Sequence, residues 1–478
     1  MLFPSVEFIF AFLPIVMAVY FILLRRNALL KNIWLFAASL FFYAFGEGSF
    51  VLLMLGLILL DYVLALLLSR SHRLWARRTL LCIAIISNIG ILGIFKYASF
   101  VCVDILKLPP DSVGFATDIH LPLGISFFTF QALSYVLDVY MAKVPATDSF
   151  LNVGLYVSFF PQLVAGPIVR YTDIADTINN RKESIDGFSS GVVRFLIGLS
   201  KKVLIANNMA LVADAAWKLI IGDRLEASVA MAWLGAISYT LQIYFDFSGY
   251  SDMAIGLGKM FGFDFPENFD HPYIATSLTE FWRRWHISLS SWFRDYVYIP
   301  LGGSRRGVAR TYINLIIVWL LTGIWHGANF TFVVWGLLYG ILLIIEKAVS
   351  QRTARNGARS RKHATAGHIY TMLVVIIAWV IFRSDSIHDA IIYILGMFGR
   401  GSGKLIDKVF VAYLKQNICF YLPAIAGCFP ILERLELRFG EKSPIYNIAF
   451  GVVLLAGFVI SMSYIINNGY NPFIYFNF

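Results

Sequence analysis

Residues 311–329 read TYINLIIVWLLTGIWHGAN, an apolar run over 311–325 that ends on Trp325 and an ionisable group, His326, before Gly327, Ala328 and Asn329. A second apolar run, 328–345, follows at once. An ionisable side chain at membrane depth is costly and marks a functional site by default. Its plain alternative is a histidine packed between helices and hydrogen-bonded to a backbone carbonyl.

Charge on either side of this stretch sets its direction. Over 281–310 six arginines (283, 284, 294, 305, 306 and 310) face Asp295 alone, a balance of +5, and 351–363 carries Arg352, Arg355, Arg359, Arg361 and Lys362 without an acid. Both segments are expected on the cytoplasmic side by the positive-inside rule, so the chain between them enters and leaves by the same face. A helix over 311–325 rises about 22 Å, short of a hydrocarbon core of roughly 30 Å. The expectation is a turn at Gly323, Gly327 and Asn329, with His326 beside it deep in the bilayer and a watery passage reaching it.

The rest of the chain is of the same kind. Of 478 residues, 59% are hydrophobic and 14% charged, and the mean hydropathy is +0.71. That composition belongs to an all-α polytopic membrane protein. Apolar runs at 4–24, 49–68, 79–103, 120–141, 188–206, 228–247, 328–345, 366–382, 408–430 and 446–466 are each long enough to span, while 33–45, 150–166 and 311–325 are shorter. The expectation is about 11–13 membrane helices. The first run carries Glu7 and no basic n-region, so it is read as a retained helix rather than a signal peptide. Arg25, Arg26 and Lys31 follow it and Arg70, Arg73, Arg77 and Arg78 crowd the 69–78 loop, which places the N-terminus on the outer face of the membrane.

The net charge of +10 is dispersed among these segments without a nucleic-acid motif, so the partner surface is membrane lipid and not nucleic acid. The cysteines lack CxxC spacing, and no metal is expected. The chain has no GxSxG elbow, HExxH, Walker loop or GxGxxG after a strand, which removes the soluble hydrolase, protease, nucleotidase and dehydrogenase classes.

Pro266, Asn268, Pro272, Pro300, Gly302 and Gly303 interrupt the block from 262 to 310. Between them, Trp282, Trp285, Leu289, Trp292 and Phe293 recur at three- and four-residue spacing, which predicts one amphipathic helix over 280–296 with an aromatic seam, started by Ser277 or Thr279. His286 lies on it. A neutral imidazole can take a proton from an attacking hydroxyl and return it to a leaving thiolate, and Arg283, Arg284, Arg305 and Arg306 can hold phosphates of an acyl donor. Asp246, Ser248, Ser251 and Asp252 close an apolar run, read as a hydrogen-bonded break in a helix in preference to a metal or relay cluster.

These blocks carry a resemblance. Asn268-Phe269, Pro272-Tyr273, Glu280 through Leu289, Pro300-Leu301-Gly302-Gly303 and Trp325-His326-Gly327 resemble the membrane-bound O-acyltransferase family, with Pro161 through Ile168, Asp246 through Asp252, Phe382-Arg383 and the aromatic 473–476 extending the likeness. The chain looks most like the alginate O-acetyltransferase branch, with the D-alanyl-transferring branch the nearest rival. The resemblance implies a single integral domain over 1–478 with its catalytic block at 262–340. It implies broken or re-entrant helices around a transmembrane tunnel, an essential histidine at His326 and a second motif position at His286. It implies acetyl-CoA as cytoplasmic donor substrate, no permanently bound cofactor, and periplasmic acetyltransferase partners that pass the acetyl group to a polysaccharide. Trp285, Trp325, Asn329, Asp246 and Ser248 join the four arginines as the residues expected to line the tunnel or hold the donor. A transporter using the same cavity without chemistry is the competing class.

Overall fold

The computed structural model describes residues 1–222, 227–355, 362–440, 443–467, 472 and 474. Among them the chain is an assembly of helices, nine of which are long and apolar enough to cross a membrane. Two shorter apolar helical stretches, Phe8–Leu23 and Ile387–Met397, accompany them. Residues 33–45, short as an apolar run, lie inside the 20-residue helix Ala28–Glu47. The basic 351–363 segment and the aromatic 473–476 motif lie largely outside the described residues.

Packing divides the chain into two compact units, Met1–Phe195 with Tyr250–Glu267, and Leu196–Gly249 with Asn268–Phe478. In the first, the helix Ile125–Tyr140 is buried at every residue from Ile125 to Val139, with Phe50–Arg70 and Leu74–Leu92 packed on it. Asn88 Nδ2 donates to both oxygens of the buried Asp61 at 3.0 Å, joining those two helices. Arg77 reaches back to donate to the carbonyls of Leu68 and Tyr140 at 3.2 and 2.9 Å, so one guanidinium satisfies the C-terminal ends of two helices. The Glu183 carboxylate gathers Tyr20 and Lys31. Residues 161–168 are buried throughout.

The helix Val229–Met260 runs unbroken for 32 residues and contributes to both units. The expected break over 246–252 is therefore absent. Its acids are accommodated by cations instead: Asp246 pairs with Lys202 at 2.6 Å in the second unit, and Asp252 with Arg194 at 2.8 Å in the first.

The second unit contains the hairpin foreshadowed by the charges. Val308–His326 and Phe330–Arg355 pack along each other. The first of them begins three residues before the expected start and includes His326, so its 19 residues rise about 28 Å, close to a full core thickness. The turn is confined to residues 327–329. Gly323 is no part of it. A Cβ at Gly323 would lie 2.3 Å from the Phe332 carbonyl oxygen, and one at Gly336 would lie 2.4 Å from that of Trp319. These two glycines let the helix backbones touch, as small residues do in membrane bundles. Gly336→Leu is expected to pry the hairpin apart, costing about 3 kcal/mol or more. A detergent melting curve should shift downward, and an unchanged curve would disprove the contact's importance.

Candidate active site

The predicted amphipathic helix over 280–296 is broken at its centre. Leu278–Arg284 and Ile287–Phe293 are separate helices, and His286 between them has φ 45° and ψ 54°. The cause is Asn268, eighteen residues upstream. Its backbone carbonyl accepts from Ile287 N–H at 3.0 Å. Its side-chain oxygen accepts from Ser288 N–H at 3.3 Å and Ser288 Oγ–H at 2.8 Å, and faces His286 Nδ1 at 3.1 Å. A left-handed non-glycine residue is costly and persists where its surroundings over-determine it. The remaining restraints are Asp270 N–H on the Arg284 carbonyl at 2.9 Å and Ser277, whose hydroxyl caps Leu278–Arg284. At the same helix start, the Glu346 carboxylate accepts from Leu278 N–H at 2.7 Å and Thr279 N–H at 3.0 Å.

This arrangement fixes the histidine's chemistry. Because the Asn268 oxygen already accepts from Ser288, Nδ1 of His286 must donate to it, which leaves Nε2 as the ring's acceptor. Nε2 is buried with no hydrogen-bond partner among the described residues. The ring is 1% exposed and, outside the membrane-spanning helices, burial pushes its pKa down from 6.5 to about 3. It is thus neutral through the physiological range.

A stability prediction follows from that shift. The folded pKa lies below the unfolded one, so the unfolded chain takes up the proton first, and stability present above pH 6.5 is lost as pH falls towards 3. By pH 5 this amounts to about 2 kcal/mol at ~1.4 kcal/mol per pH unit. Melting at pH 7 and pH 5 should show a drop that His286→Asn makes smaller; equal drops in the two proteins would count against it.

His326 is 4% exposed and terminates its helix. Trp325, Trp335 and Phe382 present their rings at 5.0, 5.2 and 5.1 Å, all nearly perpendicular to the imidazole. Trp325 also lies 6.0 Å from His286, whose other face meets Phe247 edge-on at 4.6 Å. The Trp325 indole thus lies within 6.0 Å of both imidazoles. Trp285 packs on Trp379 at 4.9 Å, and Trp282 on Trp319 and Tyr339 at 4.5 and 4.9 Å. Together these rings make a buried aromatic wall around the two histidines. The sequence pointed to Trp282, Trp285 and Trp325; the wall from Trp319, Trp335, Tyr339 and Trp379 carried no signal beyond its aromatic content.

The remaining expected residues are placed as follows. Arg283, Arg305 and Arg306 are exposed, whereas Arg284 is held by Asp270 at 2.7 Å and Glu280 at 3.1 Å. Asn329 donates to the Asp385 carbonyl at 2.7 Å and accepts from Thr331 N–H at 3.0 Å, which closes the hairpin turn. Ser248 is buried, with its hydroxyl unpartnered among the described residues. Arg383 turns to Asp214, over Trp217 at 4.2 Å.

The chain is similar to known proteins along its length. The model of the membrane-bound O-acyltransferase family matches residues 75–388. A probable alginate O-acetylase AlgI of Pseudomonas putida is 39% identical over the whole of both chains. A peptidoglycan O-acetyltransferase of Helicobacter pylori is 34% identical over all of this chain and 98% of its own. A teichoic acid D-alanyltransferase of Bacillus subtilis is 26% identical over 46% of this chain and 58% of its own. With that family's model matching residues 75–388 and relatives 39% and 34% identical along the whole chain, the chain belongs to the membrane-bound O-acyltransferase family.

Proposed function

We propose that this O-acyltransferase takes an acetyl group from acetyl-CoA at the cytoplasmic face and delivers it across the membrane for O-acetylation of an extracellular, alginate-like polysaccharide, through periplasmic acetyltransferase partners. The observation that carries the reading is the pair of buried histidines, each within 6.0 Å of the Trp325 indole, in a chain similar along its whole length to an alginate O-acetylase. The whole chain then acts as one integral domain with 262–340 as its catalytic block. The protein is a multi-pass component of a bacterial inner membrane, with the arginine-rich 69–78 loop inside and the N-terminus in the periplasm.

In this reading His326 takes the proton of the acceptor hydroxyl as its oxygen bonds to the thioester carbon. The carbon–sulfur bond breaks, and the imidazolium returns the proton to the departing thiolate. His286, neutral and accepting at Nε2, holds a hydrogen of the acceptor or donor beside it. The exposed Arg283, Arg305 and Arg306 supply positive charge for the donor's phosphates, while Arg284, tied to Asp270 and Glu280, orders the segment that carries His286.

Purified protein supplied with acetyl-labelled CoA and an acceptor alcohol should release free CoA and form a labelled ester. Label transferred only from a D-alanyl carrier, or labelled donor moved unaltered into a vesicle, would overturn the reading.

A further inference from the structure

Lys202 and Asp246 form an ion pair at 2.6 Å with both side chains 1% exposed. Two charges so far from water are held at a net cost unless their remaining hydrogen-bonding capacity is met. Here a distant segment of backbone contributes to meeting it. The Pro472 carbonyl accepts from Lys202 Nζ, and Ile474 N–H donates to Asp246 Oδ2 at 2.9 Å. An ammonium and a carboxylate thus read one backbone acceptor, at Pro472, and one backbone donor, at Ile474.

The pair is also locked to the elements that carry it. Lys202 lies in a π-helical stretch over residues 201–206, a local widening of the helix. A Cβ on Gly249 would lie 2.8 Å from the Gly198 carbonyl oxygen and 3.0 Å from Lys202 N, so the two backbones approach as closely as they can. The residue after Asp246 is Phe247, whose ring meets the His286 imidazole edge-on at 4.6 Å and 87°. Asn268 Oδ1 lies 3.1 Å from Nδ1 of the same imidazole.

We propose that Lys202, Asp246 and the backbone groups of Pro472 and Ile474 form a strap that positions His286 for acyl transfer by fixing Phe247 against its ring. Lys202 and Asp246 are positioning residues and touch neither donor nor acceptor. The proposal rests on the reading of His286 as part of the reacting site.

The test uses the full chain in detergent or nanodiscs. Ile474→Pro removes the N–H of the strap together with part of a buried side chain and leaves the ion pair, and Ile474→Ala, which keeps the N–H, is the control for the lost packing. The double variant Lys202→Leu with Asp246→Leu removes both charges together, a replacement that buried pairs often tolerate without loss of stability. For both the proline and the double variant, kcat for acetyl-CoA turnover should fall by at least about tenfold, as for a small displacement of a reacting group. The donor KM and the melting temperature should stay close to those of the unsubstituted protein. A second readout is independent of the donor: carbethoxylation of His286, followed by mass spectrometry, should accelerate in both variants. Unchanged His286 reactivity in the two variants, or a rise in KM alone, overturns the strap. Faster modification in a protein whose unsubstituted form never turns over acetyl-CoA supports the strap and overturns the donor assignment instead.

Discussion

His326→Ala is expected to abolish acetyl transfer, with kcat reduced by roughly 10²–10⁴ or to background, the range that general acid–base groups contribute. The protein should still insert and accumulate, because the rings of Trp325, Trp335 and Phe382 pack against the imidazole and the close contact of the two hairpin helices is made by Gly323 and Gly336. The removed ring leaves a small cavity costing about 1–3 kcal/mol. Single-turnover release of CoA from purified protein is the decisive measurement. Near-normal release would move the chemistry elsewhere. His326→Gln keeps the size and the hydrogen bonding but cannot exchange a proton, so its activity should be as low as that of the alanine variant. Activity in the glutamine variant alone would assign His326 a hydrogen-bonding role.

The second large effect is expected at a residue with no acid–base chemistry. Asn268→Leu removes the side-chain oxygen that serves Ser288 N–H, Ser288 Oγ and His286 Nδ1 at once. All of these groups are buried. Leaving donors unsatisfied in such a place costs about 1–3 kcal/mol each, and the left-handed turn at His286 loses the contacts that hold it. Transfer should fall by about a hundredfold or more as His286 leaves its place, with a lower melting temperature. Asn268→Asp keeps the acceptor and should recover most of the stability lost in Asn268→Leu. A leucine variant with full activity would show that the turn is held by backbone alone.

Much of this architecture was written in the pattern of charges and apolar runs. The arginines at 305–310 and the basic 351–363 segment called for a hairpin between them, and Val308–His326 with Phe330–Arg355 is that hairpin. The histidines stood out because ionisable groups are scarce in apolar sequence. What stayed hidden depends on partners far along the chain. The aromatic seam from Trp282 to Phe293 has good helical periodicity. Nothing within it announces that Asn268 will cap a new helix at Ser288 and force His286 into the left-handed region. Asp246 and Asp252 resembled a cluster because they lie six residues apart, yet each is met by its own cation, Lys202 and Arg194. Gly323 was ambiguous for another reason. A glycine in an apolar run serves equally as a turn or as a point of close helix contact, and only the position of Phe332 decides between them.

The distance along the chain between Lys202 and Pro472 has a consequence for biogenesis. The two are 270 residues apart, so the ammonium and its carboxylate partner enter the membrane long before the backbone that completes them leaves the ribosome. Until then the nascent bundle carries a dry ion pair with part of its hydrogen-bonding capacity unmet, an intermediate that insertion factors and membrane proteases can distinguish from the finished protein. Chains that stall between residues 250 and 470 should therefore be degraded faster than their hydrophobicity alone would suggest.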